Sequence, residues 1–105
     1  MIDKPARTID GSYLNYIHSQ SCIICGRRPV DADHLIARGR GSASQNDYSA
    51  IPLCREHHSE RHQGGTAKLE AKYSVNLWKD SWSLLQTYVK VLRQDAEVED
   101  GEEGF

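Results

Sequence analysis

Four residues in two short pairs limit what this chain can become. Cys22 and Cys25 form a C-x2-C pair, and Cys54 and His57 form a C-x2-H pair that begins 29 residues after Cys25. Three thiolates and one imidazole at these spacings suit a tetrahedral zinc ion with every coordination position filled. A closed site of that kind has no vacancy for a substrate, so its work is structural. The staple matters because 105 residues at 38% hydrophobic content, with a mean hydropathy of −0.66, give one small domain a thin core. Zinc binding in comparable small modules contributes on the order of 10 kcal/mol of folding free energy. Three cysteines cannot all pair within one chain, and in a protein expected to be intracellular a metal explains them better than disulfides do. No stretch approaches the ~18 apolar residues of a membrane span. No charged-then-apolar leader opens the sequence either, so a cytoplasmic protein without membrane contact is expected.

The second pair sits inside "LCREHHSERH", residues 53–62, which holds three of the five histidines. Cys54 and His57 go to the zinc, leaving His58 and His62. Residues four apart on a helix share a face, so these two imidazoles can grip one cation. A third ligand is offered by Asp33 in "DADHLI". Neighbours on a strand point to opposite faces, so Asp33 can turn to the cation while His34 reaches toward a substrate. One carboxylate and two imidazoles leave coordination positions open, and an open site is a catalytic one.

Around these motifs the chain is expected to be α+β. "SYLNYIHSQ", 12–20, reads as a short N-terminal helix capped by Ser12, with Tyr13, Leu14 and Ile17 on one face. "CIICGRR" is a tight turn with Gly26 behind the second cysteine. "DADHLIA", 31–37, and "YSAIPL", 48–53, read as strands, with Pro52 confining the second to an edge or an end. "RGRGSASQND", 38–47, is a loop on composition. A helix from about Cys54 stops at Gly64-Gly65, and Thr66 caps a further helix through Tyr73. Residues 77–93 carry the strongest helical period, with Asn76 as cap and Trp78, Trp82, Leu85, Val89 and Leu92 recurring as an expected core stripe. His18 on the first helix is expected to be an ordinary surface or packed residue.

The net charge of −2 is unevenly spread. "DAEVEDGEEGF", 95–105, holds six acids and no base; without it, thirteen Lys and Arg face nine acids, a net +4 over 1–94. Residues 1–94 are therefore expected to be a single domain, and 95–105 an acidic disordered tail.

Together, "CIIC…DH…ND…LCREHHSERH" resembles the HNH endonucleases of the ββα-metal (His-Me finger) class with an added zinc knuckle. It is most similar to the small phage-encoded HNH proteins that include the recombination-enhancement nucleases. The resemblance runs from about Tyr13 to His62 and includes the lead-in "YLNYIHSQSCIICG". It implies a ββα-metal core at about 22–63, one helix before it and helical padding over 66–93. By position it implies that Asp33, His58 and His62 hold one divalent cation, that His34 is the general base, and that Cys22, Cys25, Cys54 and His57 hold the structural zinc. Many relatives carry an asparagine where this chain has Ser49. Here Asn46 and Asp47 stand nearby, and Asp47 is the favoured residue for anchoring the loop that orients the base. If Asp47 entered the metal shell instead, the three-ligand count would be incomplete.

The resemblance implies a metal-dependent DNA endonuclease that leaves 5′-phosphate ends. It further implies a phage or prophage protein acting in recombination, repair or processing inside a bacterial host, with a recombinase filament as a further partner. A neutral imidazole, with an ordinary pKa near ~6.5, can take the proton of an attacking water at cellular pH. With mixed oxygen and nitrogen ligands, Mg2+, Mn2+, Ni2+, Co2+ or Zn2+ all suit the open site. Arg27, Arg28, Arg38, Arg40, Arg55 and Arg61 flank it. Arg38, Arg40, Arg55 and Arg61 are the expected DNA contacts, giving weak sequence preference and strong salt dependence. The alternative is a non-catalytic zinc module that binds nucleic acid or protein, with His34 idle.

Overall fold

A computed structural model of the chain describes the backbone of residues 8–36 and 45–104, and the side chains of 8–36 and 45–94. It is α+β: four helices surround one two-stranded antiparallel sheet. The order is α1 (Gly11–His18), β1 (Asp31–His34), a 3-10 turn (Asp47–Ser49), β2 (Ala50–Leu53), α2 (Arg55–Gly64), α3 (Thr66–Tyr73) and α4 (Leu77–Gly104). Among the described residues, no helix is long and apolar enough to cross a membrane.

The sheet pairs Asp31 with Leu53, Ala32 with Pro52, Asp33 with Ile51 and His34 with Ala50. Directly opposite residues share a face, so Asp31, Asp33, Ile51 and Leu53 lie on one side and Ala32, His34, Ala50 and Pro52 on the other. All four β2 residues are buried, because both faces of the strand are covered. Ile51 and Leu53 join Cys22, Val30, Cys54, Leu69 and Leu77 in one apolar cluster. Ala50 joins Tyr13 and Ile17 of α1 in a second, against Leu84, Leu85 and Tyr88 of α4. The sheet is thus held between two small cores, and the alternation of β1 sends its two aspartates and His34 to different sides.

Several expected boundaries shift. Asp10, not Ser12, caps α1, its carboxylate accepting from the Tyr13 N–H at 3.0 Å. Among the described residues β1 ends at His34, because beyond it Ile36 N–H donates to the Ser49 hydroxyl and not to a strand. β2 starts at Ala50, since Asp47–Ser49 coil into a turn under the Asn46 carbonyl side chain, which accepts from Tyr48 N–H. The α2 and α3 spans and the Asn76 cap, which accepts from Lys79 N–H at 3.0 Å, lie where the sequence puts them. α4 continues through Gly104, so the acidic run expected as a disordered tail is helical backbone; its alanine and glutamates are good helix formers.

The largest correction concerns α4's packing. Trp78 and Trp82 are 50% and 60% exposed, and Val89 and Leu92 are exposed with them; only Leu85 of the expected core stripe is half-buried. The face turned inward is instead Leu77, Ser81, Leu84 and Tyr88. Two apolar stripes lie side by side on this helix, and periodicity marks both without saying which meets the body.

Candidate metal centre and the adjoining histidine pair

The knuckle turn brings the first cysteine pair to the start of α2. Gly26 N–H donates to the Cys22 carbonyl at 2.8 Å, and Gly26 takes φ +78°, a conformation that glycine adopts without strain. Cys54 stands at the N-cap of α2, and His57 follows on its first turn. The resulting cluster has Cys25 Sγ 3.8 Å from Cys54 Sγ, Cys22 Sγ 3.6 Å from His57 Nδ1, and Cys54 Sγ 3.3 Å from His57 Nδ1. All four ligand atoms lie within 4.8 Å of one another.

The donor set and its spacing fit a metal. A sulfur–sulfur distance of 3.8 Å is far too long for a disulfide bond of about 2.05 Å. It equals the edge, about 3.8 Å, of a tetrahedron with metal–sulfur bonds of about 2.3 Å. Burial works against ionising Cys22, yet backbone N–H groups of Cys54, Cys25 and Ile24 and the His57 ring together bring its thiol down to about 6. Cys25 is pushed the other way: the Arg27 N–H favours its thiolate, but desolvation and the Cys22 and Cys54 sulfurs outweigh it. Three sulfurs this close repel one another as thiolates, and a cation between them removes the conflict. The His57 ring, buried and edge-on to Tyr73 at 5.1 Å between centroids, completes the enclosure.

His58, the next residue, belongs to a different group. Asp33, His58 and His62 bring their ligand atoms together: Asp33 Oδ1 is 3.6 Å from His58 Nε2 and 3.1 Å from His62 Nε2. The two rings lie edge to face at 4.8 Å. Asp33 is 2% exposed whereas His62 is 57% exposed, so the group opens to solvent on the imidazole side. Burial raises the Asp33 carboxyl, but Arg61 and His62 hold it below the ordinary value. Asp33, His58 and His62 can therefore take a cation in a half-open pocket, with the carboxylate already ionised.

Two residues that sequence reasoning passed over, or assigned elsewhere, support this group. Asp31 Oδ2 lies 2.8 Å from His58 Nδ1, which leaves Nε2 for the cation side. Its signal was available, since an acid two positions before Asp33 shares its face of the strand. Arg61, expected on DNA, is turned inward: its Nε donates to Asp33 Oδ2 at 2.7 Å and its Nη2 to Asp33 Oδ1 at 3.0 Å. The same guanidinium reaches the His34 carbonyl and the Thr66 hydroxyl. Four of the five N–H donors of the fork are spent in this way, which leaves one for a phosphate.

His34 goes to the opposite face, as strand alternation requires. Its Nε2 lies 2.8 Å from Asp47 Oδ1, and Asp47 is almost fully buried. Burial raises the Asp47 carboxyl, but the Asp10 N–H, the His34 ring and Gln45 more than compensate and keep it ionised. An ionised acceptor favours a proton on Nε2, facing Asp47, and the Gln45 side-chain amide nitrogen lies 3.1 Å from the same Nε2. Asp47 thus holds the ring directly, ties the segment before α1 through the Asp10 N–H at 2.8 Å, and lies outside the Asp33 group. Asn46 only caps the turn.

Of the remaining arginines, Arg55 is exposed and pairs with Asp31 at 3.1 Å, and Arg27 pairs with Glu56. Arg28 donates to the Ser19 carbonyl. Arg38 and Arg40 lie outside the described residues. His18 is exposed on α1, as expected.

A family model described as "Protein of unknown function (DUF968)" matches residues 1–86, a span that contains both clusters. The uncharacterized protein YdfU of Escherichia coli (strain K12) is 35% identical over 78 residues, 72% of this chain. The match covers 22% of YdfU, so the chain spans less than a quarter of that relative. No solved structure matches it.

Proposed function

The chain belongs to the DUF968 family, whose function is unknown, and we propose from its own residues that it is a metal-dependent DNA endonuclease of HNH type. One observation carries this reading. On consecutive residues of β1, Asp33 lies against His58 and His62, while His34 Nε2 lies against Asp47 and Gln45; among the described residues Nδ1 has no hydrogen-bond partner. A potential cation site and a histidine held by a carboxylate, on neighbouring residues of one short strand, are two of the parts that phosphodiester hydrolysis uses, although the two side chains leave the strand on opposite faces.

In this reading Cys22, Cys25, Cys54 and His57 hold a structural zinc ion that joins the knuckle to α2. Asp33, His58 and His62 would hold a divalent cation (Mg2+, Mn2+, Ni2+, Co2+ or Zn2+), which would supply Lewis acidity for phosphodiester hydrolysis. His34 accepts the proton of the attacking water at Nδ1, and Asp47 keeps Nε2–H in place and stabilises the charged ring. Asp31 fixes the His58 ring, and Arg61 fixes the Asp33 carboxylate. Arg38, Arg40 and Arg55 would contribute phosphate contacts. The resemblance further supports products with 5′-phosphate ends and a phage-encoded role in recombination or repair in a bacterial cytoplasm, beside a recombinase filament.

Nicking of supercoiled plasmid by the purified chain, with each divalent cation and with or without a recombinase filament, tests the reading. The wild type nicks, and His34→Ala abolishes nicking while leaving zinc content and melting temperature unchanged. Nicking by His34→Ala at the wild-type rate removes His34 from the mechanism.

One observation favours a second reading, a non-catalytic zinc module that binds DNA or protein. The two-point grip of Arg61 already satisfies both oxygens of Asp33 without a cation. The two readings part on added Mn2+ in a calorimeter: the nuclease binds a cation beyond the zinc, and the module does not.

A further inference from the structure

Outside both clusters, the most conspicuous surface lies on α4. Trp78, Trp82, Leu85, Val89 and Leu92 follow one another at steps of four, three, four and three residues. That alternation averages 3.5, the repeat of helices that wrap around a second helix in a left-handed supercoil. Four of the five are exposed, and Leu85 is half-buried at the seam with the body. The stripe stands beside the Leu77–Ser81–Leu84–Tyr88 face that packs inward; Leu85 reaches the second core and Trp78 and Trp82 edge a groove with Ile36 and Tyr48, while Trp78, Trp82, Val89 and Leu92 stay exposed.

Its extent is on the order of 500 Å² per chain, with the two tryptophans supplying roughly half. That is near the upper end of the patches found on stable monomers. Pairing two such stripes buries about 1,000 Å² in total, close to the threshold for a weak but specific interface.

Charge chooses the occupant and its direction. Residues 77–94 carry Lys79, Lys90 and Arg93 against Asp80 alone, whereas 95–103 carry six acids and no base. The same helix therefore continues from the apolar stripe into a strongly negative segment, which repels a nucleic-acid strand laid along it. A parallel partner would set six acids beside six. An antiparallel partner sends each acidic segment past Lys79 and the N-terminus of the other α4, where the helix dipole is positive. The same direction sets Trp82 across from Leu92 of the other copy and Leu85 across from Val89, large against smaller side chains.

We infer that α4 pairs antiparallel with α4 of a second copy of this chain, through Trp78, Trp82, Leu85, Val89 and Leu92. The pairing is a closed two-fold contact and leaves the metal clusters, on β1 and α2, outside the seam. It does not rest on the nuclease reading.

Sedimentation equilibrium of the full chain across the micromolar range tests it. The wild type moves from 11.9 kDa toward twice that mass as concentration rises. Trp82→Lys, which sits on an exposed position, stays at 11.9 kDa at every concentration with unchanged circular dichroism and zinc content. For direction, a mixture of Lys79→Cys and Arg93→Cys chains gives a mixed disulfide on mild oxidation, whereas Arg93→Cys alone gives no more than the wild type. A wild type that stays at 11.9 kDa throughout overturns the inference, as does a Trp82→Lys chain that still dimerises. Strong self-linking of Arg93→Cys overturns the antiparallel arrangement. A monomeric wild type whose tryptophan emission is quenched by single-stranded DNA, with loss of that binding in Trp82→Lys, assigns the stripe to nucleic acid instead.

Discussion

Asp31 and His58 are joined by a 2.8 Å contact between a carboxylate oxygen and ring nitrogen Nδ1, bridging β1 and α2. The contact commits that nitrogen and leaves Nε2 directed toward Asp33. A carboxylate behind a ligating imidazole fixes the ring's orientation and tautomer and raises its basicity. Asp31 also receives the exposed Arg55, so the first aspartate of "DADH" braces the helix that carries the second ligand set.

If Asp31 acts through His58, Asp31→Asn weakens cation binding at the Asp33 group by about 10–100-fold while sparing the zinc cage. Calorimetric titration with Mn2+, alongside zinc quantification by mass spectrometry, reads both. Equal Mn2+ affinity in variant and wild type removes Asp31 from the site.

Arg61 and Asp33 form the most buried ion pair in the described residues, with side chains 12% and 2% exposed. Deleting one partner of such a pair strands the other charge, at a cost of about 3–5 kcal/mol. Arg61→Ala is therefore expected to lower the melting temperature by more than 10 °C in a domain of this size. Added Mn2+ restores stability in the variant more than in the wild type, because a cation can replace the lost guanidinium charge beside Asp33. A surface phosphate contact behaves differently, since its removal leaves the melting curve in place. Thermal circular dichroism with and without Mn2+ separates the two.

Asp47 gives the fold a pH signature. Its carboxyl lies below the ordinary 3.8 in the folded chain, burial being outweighed by the Asp10 N–H, His34 and Gln45. A depressed acid stabilises the fold above its unfolded value, and that contribution disappears as pH falls through the folded one. Asp47→Asn is thus less stable than the wild type at neutral pH, and the gap narrows as pH drops below about 4. Urea melts at pH 7 and pH 3 measure it. The same variant loses the acceptor that sets the His34 tautomer, so plasmid nicking falls by up to about 10²–10⁴-fold. A stability gap that is constant with pH contradicts the ionised assignment.

The convergence of the two side-chain clusters was legible because each rests on a short-range rule. C-x2-C and C-x2-H place donors on one turn, i and i+4 place His58 and His62 on one helix face, and alternation separates Asp33 from His34. Arg61 was misread because sequence shows a charge but not its partner; the partner, Asp33, lies 28 positions away across the strand–helix junction. The tryptophan stripe was misread for a related reason. α4 carries adjacent apolar stripes, and only the three-dimensional position of α1 and its Tyr13 shows that Tyr88, not Val89, turns inward. The Asp10 cap and the Asn46 cap of the 3-10 turn are local contacts, three and two residues long, but the hydrogen bond that ties Asp10 to Asp47 spans 37 residues, beyond any local pattern.

The neighbours His57 and His58 serve separate clusters of opposite character, and metal removal should therefore occur in two stages. Cys22, Cys54 and His57 are all below 10% exposed and Cys25 lies at the surface, so an ion among them would be gripped by three buried donors and is expected to leave slowly. The Asp33 group is bounded by the exposed His62 ring, so a cation bound there is expected to leave without disturbing the backbone. Dialysis of the metal-loaded chain against mild chelator is expected to remove one equivalent with helicity and melting temperature nearly intact. The second equivalent leaves only with strong chelator or denaturant, and helicity collapses with it, because about 10 kcal/mol of zinc-linked folding energy is comparable to the whole stability of a small domain. Cys22→Ser should reproduce the second stage alone, arriving unfolded or one zinc short. Simultaneous loss of both ions, or a Cys22→Ser chain with unchanged zinc and melting curve, means that the two histidines do not divide the metals between them.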